Sequence, residues 1–205
     1  MFRKKPSIAI LGMSPGNSYF KENVIRGLID QARQRFEGFR IMIPDYPAQY
    51  TYRAKGESRP ESKARLKGNA IRNKVSSILG PDEQRRLTID WKEHINTSVT
   101  YRRSIRNILV LFRNNEAFRD AVRGTTKEVL LGGRMGEVAE EKVKIGVKFL
   151  LCELAFLESA KEILGSEVTY VYHRSWPIFS DFIAGKFDGK KREIDFEVIE
   201  VETET

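Results

Sequence analysis

Ser14, Glu153 and the pair Tyr172-His173 are the side chains best suited to group-transfer chemistry, and each sits where an apolar segment meets or encloses polarity. Ser14 lies in Gly12-Met13-Ser14-Pro15-Gly16-Asn17, directly after the apolar run Ile8-Ala9-Ile10-Leu11. A loop serine is a nucleophile when a neighbouring group accepts its proton. The same serine, with Asn17, is equally suited to capping a following helix or closing a turn. Glu153 stands in FLLCELAFL, residues 149–157, where the Cys152 thiol is the only other polar side chain. Burying a carboxylate costs several kcal/mol unless it is paired, hydrogen-bonded or protonated. Glu153 is therefore either a member of a structural ion pair or a poised group with a raised pKa. Tyr172-His173 closes the β-branched and aromatic run that begins at Val168.

Positioning these groups requires an α/β scaffold. Residues 8–11 read as a fully buried strand, and residues from Ser18 onward as a helix with Ile25, Leu28, Ile29, Ala32 and Phe36 on one face. Gly12–Asn17 is then a strand-to-helix turn at the carboxyl end of a strand, where free N–H groups and the positive end of a helix dipole gather. Its glycines fit neither the dinucleotide-binding nor the P-loop pattern. Residues 39–43 predict a second parallel strand after a right-handed crossover, residues 48–59 an exposed connection, and residues 61–79 a helix stopped by Gly80-Pro81. Residues 101–123 divide into two helices at Asn114-Asn115, the first covering the sheet through Ile105, Ile108, Leu109 and Phe112. Val129–Leu131 suggests a short strand, residues 137–164 a long interior helix, and Val168–Tyr172 another strand. Residues 174–190 predict a packed irregular loop, and residues 194–201 a closing strand with a bulge near Val198. The strand ends at Gly12–Ser14 and Tyr172-His173 are expected to face one crevice in a single domain spanning 1–205.

The 205-residue chain carries 31% charged residues and a net charge of +8, which favours an anionic partner, nucleic acid ahead of membrane. No apolar run is long enough to cross a bilayer, and no cleavable leader pattern precedes the first strand. With Cys152 as the sole cysteine, a cytoplasmic protein without an intramolecular disulfide is expected. Two histidines and one cysteine offer no credible metal-ligand set. Charge concentrates before and along the 61–79 helix: from Arg53 to Lys74, eight Lys or Arg stand against Glu57 and Glu61. Ile71, Val75, Ile78 and Leu79 form a narrow docking arc, flanked by Lys63, Lys67 and Lys74 on one side and by Arg65 and Arg72 on the other. Such a border suits phosphates, or is simply solvated. After Arg192 come six acids and no base, a tail expected to avoid a bound polyanion.

Ser14 in GMSPGNSYF, Glu153 in FLLCE and Tyr172-His173 in YVYHRSWPIFSDFIAGK together resemble the cyclodipeptide synthases along essentially the whole chain. Asn17, Tyr172 and His173 resemble the subfamily defined by an Asn and a Tyr-His pair. The resemblance implies a Rossmann-like α/β fold with helices on both faces of a mostly parallel sheet, similar to class I aminoacyl-tRNA synthetase catalytic domains. It implies that two aminoacyl-tRNAs become a cyclic dipeptide with no cofactor and no metal. Ser14 is implied to attack the first ester and form an aminoacyl enzyme whose ammonium is held by Glu153 and Tyr172. The amine of the second aminoacyl-tRNA is then expected to give a dipeptidyl enzyme, and ring closure to free Ser14 with Tyr172 relaying a proton. Gly12 is implied to admit substrate to the backbone, and Asn17 and His173 to orient the two loops. By position, Ile10, Met42 and Phe156 are expected to line the first aminoacyl pocket. The tRNA acceptor stem is expected on the basic helix of a monomer, at Lys63, Arg65, Lys67, Arg72 and Lys74. Phe149 stands where the family usually carries a Tyr, which removes a hydrogen bond worth about 1 kcal/mol or somewhat more from the ammonium site. Two other functions compete. A serine hydrolase would use Ser14, His173 and Glu153, although GMSPG is not the G-x-S-x-G elbow. A non-catalytic tRNA- or RNA-binding module would leave Ser14 and Glu153 without a role.

Overall fold

β1 (Lys5–Gly12) buries Ala9, Ile10 and Leu11 in succession, none more than 1% exposed. Side chains alternate across a strand, so an unbroken buried run requires cover on both faces of the sheet. This computed structural model describes residues 5–201; the outermost residues of the expected 1–205 domain, including Glu202 and Glu204 of the acidic tail, lie outside the described residues. After β1 come α1 (Glu22–Arg35), β2 (Phe36–Met42), α2 (Asp45–Ala54), α3 (Pro60–Leu79), α4 (Pro81–Leu87) and a two-residue β3 (Thr88–Ile89). A π-helical turn (Trp91–Ile95) leads to α5 (Val99–Asn114), α6 (Glu116–Leu131) and α7 (Glu140–Leu164). The chain then forms β4 (Val168–Tyr172), α8 (Pro177–Ile183) and β5 (Asp195–Val198).

All five strands are parallel, in the order β3-β2-β1-β4-β5, and helices flank both faces in a Rossmann-like arrangement. Strand order reverses between β1 and β4. Connections leaving these neighbours diverge to opposite faces and open a crevice at their carboxyl ends. Helices α2, α5 and α6 pack on α7, which lies against β4. At Gly146 of α7 an added Cβ would stand 2.8 Å from Thr126 Cγ2 of α6, so these two helices meet at the distance only a glycine permits.

Several elements differ from the sequence reading for local reasons. Phe36 is buried as expected, but it opens β2 and does not extend α1: its φ of −121° and ψ of 158° are extended. Helix α1 begins at Glu22, not near Ser18, because residues 17–20 are used in turns. The 48–59 connection is largely α2, whose Pro47, Ala48, Gln49 and Ala54 are buried without any aliphatic stripe to announce it. Val129–Leu131 is the last turn of α6, closed by left-handed Gly132, and β3 is too short to leave a pattern. The first of the two central helices, α5, packs on α7 and not on the sheet, which leaves Leu109 37% exposed. The loop after β4 contains α8. β5 pairs with β4 in continuous register and stops at Val198, so no bulge is needed. Two acids of the tail are held in place: Glu197 of β5 pairs with Lys5 and Arg35, and Glu193, just before β5, with Lys161 at 2.9 Å.

Gly146→Val is expected to wedge α6 from α7 and lower stability by about 1–3 kcal/mol, the usual cost of overpacking. A denaturant midpoint equal to that of the unaltered protein would show that Thr126 and Leu130 yield freely.

Candidate active site

The Met13 N–H still donates to the Met42 carbonyl at 2.9 Å, so the chain leaves the sheet only at Ser14. Asn17 N–H donates to the Ser14 carbonyl at 3.2 Å, closing a four-residue turn. Pro15 pre-sets the second position, and Gly16, at φ +82°, supplies the left-handed third position of a type II turn. The Tyr52 hydroxyl of α2 donates to the Pro15 carbonyl at 3.1 Å and fills the space that a Cβ on Gly16 would need. Ser14 is thus presented by a turn locked on both sides. It does not cap α1, whose first turn has no side-chain cap.

Across the crevice, Ser14 Oγ lies 2.9 Å from the Tyr172 hydroxyl at the end of β4. Burial pushes the Tyr172 phenol up to about 12, so at neutral pH it is an intact hydroxyl and not a phenolate. Asn17 Oδ1 accepts from the Tyr19 N–H at 3.0 Å, which fixes the amide orientation and aims Nδ2 at His173 Nε2, 3.0 Å away. Because Nδ2 donates, Nε2 must accept, and the imidazole is neutral with its proton on Nδ1. Burial and the Arg174 charge lower His173 to about 4, in the same direction. Tyr19 stacks on that ring at 4.1 Å. With its Nε2 committed to Asn17 and Glu153 engaged elsewhere, His173 does not assemble a Ser-His-acid triad with Ser14.

Ser14, Asn17, Tyr172 and His173 border a cavity of about 520 Å³ whose walls include Ala48, Leu130, Phe149, Leu150, Trp176 and Phe179. Glu153 of α7 is 4% exposed and lines this cavity. Its Oε1 accepts from the Tyr170 hydroxyl at 2.7 Å, and no cation pairs with it among the described residues. Burial raises its pKa to about 7, opposed by the Tyr170 hydrogen bond. Of the two readings open for Glu153, a poised carboxyl is the one this environment fits.

Other expected positions fall elsewhere. Ile10, Met42 and Phe156 are each 0% exposed and lie in the core, not on the cavity wall, because their side chains pack between sheet and helices. Gly12 does not open the backbone to the cavity: the space beside it is filled by the Tyr170 ring. On α3 the cations divide. Arg72 is drawn into an ion pair with Asp45 at 2.7 Å, and the Lys74 ammonium donates to the Phe20 carbonyl at 2.9 Å, so both hold the fold. Lys63 meets only exposed Glu57 at 3.5 Å, while Arg65 and Lys67 face outward. The Lys67 Cγ is 3.8 Å from where a Gly16 Cβ would be, so this open cationic border runs into the Ser14 turn.

Tyr170 and Tyr52 are the site-forming residues that sequence reasoning passed over. The period of two along a strand puts Tyr170 on the same face as Tyr172, a signal that was present. Tyr52 carried none, since its helix was not recognisable. At the rim, Arg174 lies 3.6 Å over the Trp176 ring and pairs with Glu128 of α6 at 2.7 Å, joining the two sides of the cavity mouth.

A Rossmann-like fold here gathers a serine hydroxyl, a phenol and a carboxyl with no cation partner among the described residues at its switch-point crevice. The cyclodipeptide synthase family model matches residues 3–196, and this chain belongs to that family. It is similar to the cyclo(L-leucyl-L-leucyl) synthase of Bacillus subtilis (strain 168), 24% identical over 179 residues that cover 82% of this chain and 72% of that one. Among solved structures, a cyclodipeptide synthase from Bacillus thermoamylovorans superposes with a TM-score of 0.84 at 22% identity, covering 96% of this chain and 90% of that one. A cyclodipeptide synthase from Candidatus Glomeribacter gigasporarum, bound to Phe-tRNAPhe, superposes with a TM-score of 0.68 at 17% identity, covering 100% of this chain and 92% of that one.

Glu153 leaves a signature in stability. Its folded pKa of about 7 lies above the ordinary 4.5, so its contribution is fully present below pH 4.5 and is lost as pH rises to 7, where the buried group ionises. Glu153→Gln keeps an acceptor for Tyr170 and cannot ionise. The variant is expected to gain on the unaltered protein between pH 5 and 8, by up to roughly 3 kcal/mol. His173 titrates in both proteins and cancels. A pH-independent difference in melting temperature would mean that Glu153 is not a buried titrating group.

Proposed function

We propose that the chain is a tRNA-dependent cyclodipeptide synthase that joins two aminoacyl-tRNAs into a 2,5-diketopiperazine through ester intermediates on Ser14. The observation that carries this reading is the Ser14–Tyr172 hydroxyl pair at the mouth of a cavity holding the cation-free carboxylate of Glu153. An α-ammonium is the cation such a carboxylate lacks. The family match supports the reaction class, and the relative bound to Phe-tRNAPhe supports the form of the substrate.

In the first step Ser14 Oγ attacks the aminoacyl ester and the departing tRNA 3′-terminal oxygen takes up the proton, giving aminoacyl-Ser14. Bond balance then corrects the order expected from the sequence. If the second substrate's amine attacked aminoacyl-Ser14, the dipeptide would remain on tRNA and Ser14 would be free. A dipeptidyl enzyme forms only when the amine already on the Ser14 ester attacks the second aminoacyl-tRNA. That amine must lose a proton first, and a carboxyl poised near neutrality is matched to accept it from a bound ammonium. In the last step the dipeptide's amine attacks the Ser14 ester, the six-membered ring closes, and Tyr172 relays the proton back to Ser14. Asn17 and His173, mutually bonded, hold the Ser14 turn against the loop after β4, which supports the orienting roles implied by the resemblance to the Asn and Tyr-His subfamily. Phe149 contributes wall and no hydrogen bond. The chemistry calls on no metal and no cofactor, every group in the scheme is on one chain, as a monomer would require, and the substrates belong to the cytoplasm. The outward cations Lys63, Arg65 and Lys67 lead phosphates toward the Ser14 turn.

Ser14→Ala is expected to abolish both cyclic dipeptide and the covalent aminoacyl enzyme while preserving the melting temperature, as followed by mass spectrometry of protein mixed with charged tRNA. Normal product yield from this variant would sink the nucleophile assignment. Replacing Lys63, Arg65 and Lys67 together with Ala is expected to raise KM for aminoacyl-tRNA about tenfold or more and to flatten the salt dependence by roughly 2–3 in slope. Activity on a short aminoacyl ester should hardly change. Equal losses on both substrates would mean that this face is only solvated.

A further inference from the structure

We infer that Tyr170 is a positioning residue for the reaction: its hydroxyl, reaching through the gap that Gly12 leaves in β1, fixes one oxygen of Glu153 and sets that carboxylate toward the cavity. The inference rests on the ammonium-binding and proton-accepting role proposed for Glu153. It starts from a buried polar pair that the reaction scheme leaves unexplained. Tyr170 is 0% exposed and is not among the residues lining the cavity, whereas Glu153, to which its hydroxyl is bonded, is. Among the described residues that hydroxyl has one partner, Glu153 Oε1 at 2.7 Å, and a carboxylate accepts while a phenol donates.

The ring has no room to swing away. It is stacked with Tyr172 at 6.4 Å and 13°, and meets Phe179 edge-on at 5.7 Å and 89°. On the β1 side, a Cβ at Gly12 would lie 2.8 Å from Tyr170 Cζ and would overlap the hydroxyl itself. The Tyr170 ring fits here only because residue 12 has no side chain. The stack also links the two hydroxyl pairs, Ser14–Tyr172 and Tyr170–Glu153, through adjacent rings on one face of β4.

The chemical consequence follows from what Glu153 otherwise lacks. With no cation beside it among the described residues and Phe149 unable to donate from one turn earlier on α7, desolvation alone would hold the carboxyl protonated to higher pH than it is with the Tyr170 hydrogen bond. The Tyr170 hydrogen bond opposes this by stabilising the charged form. The sheet thus supplies, through Tyr170, the hydroxyl that the helix does not.

Tyr170→Phe removes the hydroxyl and keeps the ring, and two readouts separate the possibilities. The first is ionisation of Glu153 in the free protein, followed by infrared difference spectra against the matching Glu153→Gln proteins. Its midpoint is expected to move upward from about 7 in Tyr170→Phe, leaving about tenfold less carboxylate at a given pH below the midpoint. The second is the pH dependence of aminoacyl-Ser14 conversion to dipeptide: the acidic limb should move upward with the titration, and the rate should approach that of the unaltered protein at high pH. An unmoved midpoint, or a moved midpoint with an unmoved rate profile, overturns the positioning role. If the unaltered protein forms no aminoacyl-Ser14, the proposed function fails, while the infrared titration still decides the Tyr170–Glu153 pairing. Should Tyr170→Phe not fold, Gly12→Ala crowds the same hydroxyl off Glu153 and is expected to move the midpoint in the same direction; no movement there overturns the inference.

Discussion

The parallel pairing of β1 with β4 is the constraint on which the site depends. Ile8 faces Val168, Ala9 faces Thr169, Ile10 faces Tyr170 and Leu11 faces Val171, so the chain leaves β1 beside the place where β4 ends. This register brings Ser14 to the Tyr172 hydroxyl and Asn17 to His173, residues more than 150 positions apart in sequence. A slip of one residue would turn Tyr170 and Tyr172 to the opposite face and take both hydroxyls from the crevice at once. The fully buried run in β1 resists such a slip, because both of its faces are already packed.

Helix α7 sets the second condition. Its interior half is apolar nearly all round and must be covered by α2, α5 and α6, yet it carries a carboxylate at the point where it passes the crevice. The unfavourable burial is reduced by one hydrogen bond and is not cancelled by a cation. What remains is a group whose ionisation opposes folding and favours binding of a positive ligand. Ionisation of this carboxyl near neutral pH therefore costs local stability, a cost that a positive ligand beside it would offset.

The cations of α3 divide into those bonded within the fold and those left facing solvent. Arg72 and Lys74 are consumed inside the molecule, by Asp45 and by the Phe20 carbonyl, and these contacts anchor α3 against α2 and the chain after the Ser14 turn. Among the described residues Lys63 pairs only with exposed Glu57, and Arg65 and Lys67 have no acidic partner; exposed pairs contribute little. Their charge is therefore available to an anion. Because the anchored cations fix the helix and the open ones border the turn, an approaching phosphate chain would meet a rigid edge.

Some of this was settled by sequence alone. An apolar run ending in Gly-Met-Ser-Pro-Gly-Asn specified a buried strand and a tight turn carrying a serine, because Pro and Gly satisfy the turn locally and no distant contact is needed. The carboxylate in FLLCELAFL announced an unusual group, since burial can be read from the surrounding residues. The long helices around Asn114-Asn115 and the strand Val168–Tyr172 were likewise legible from period and caps. The tertiary structure decided what depended on partners far along the chain. Whether Glu153 had a cation or a hydroxyl beside it was open until β4 delivered Tyr170, and Gly12 could be seen as the space for that ring only once β1 and β4 lay side by side. Helix α2 was hidden because its buried face is made of Pro, Ala and Gln, which acquire burial only from α7 and α3. Arg72 and Lys74 looked like their neighbours on α3 because charge is a property of a residue, whereas its availability is set by which carboxylate or carbonyl the fold brings within reach.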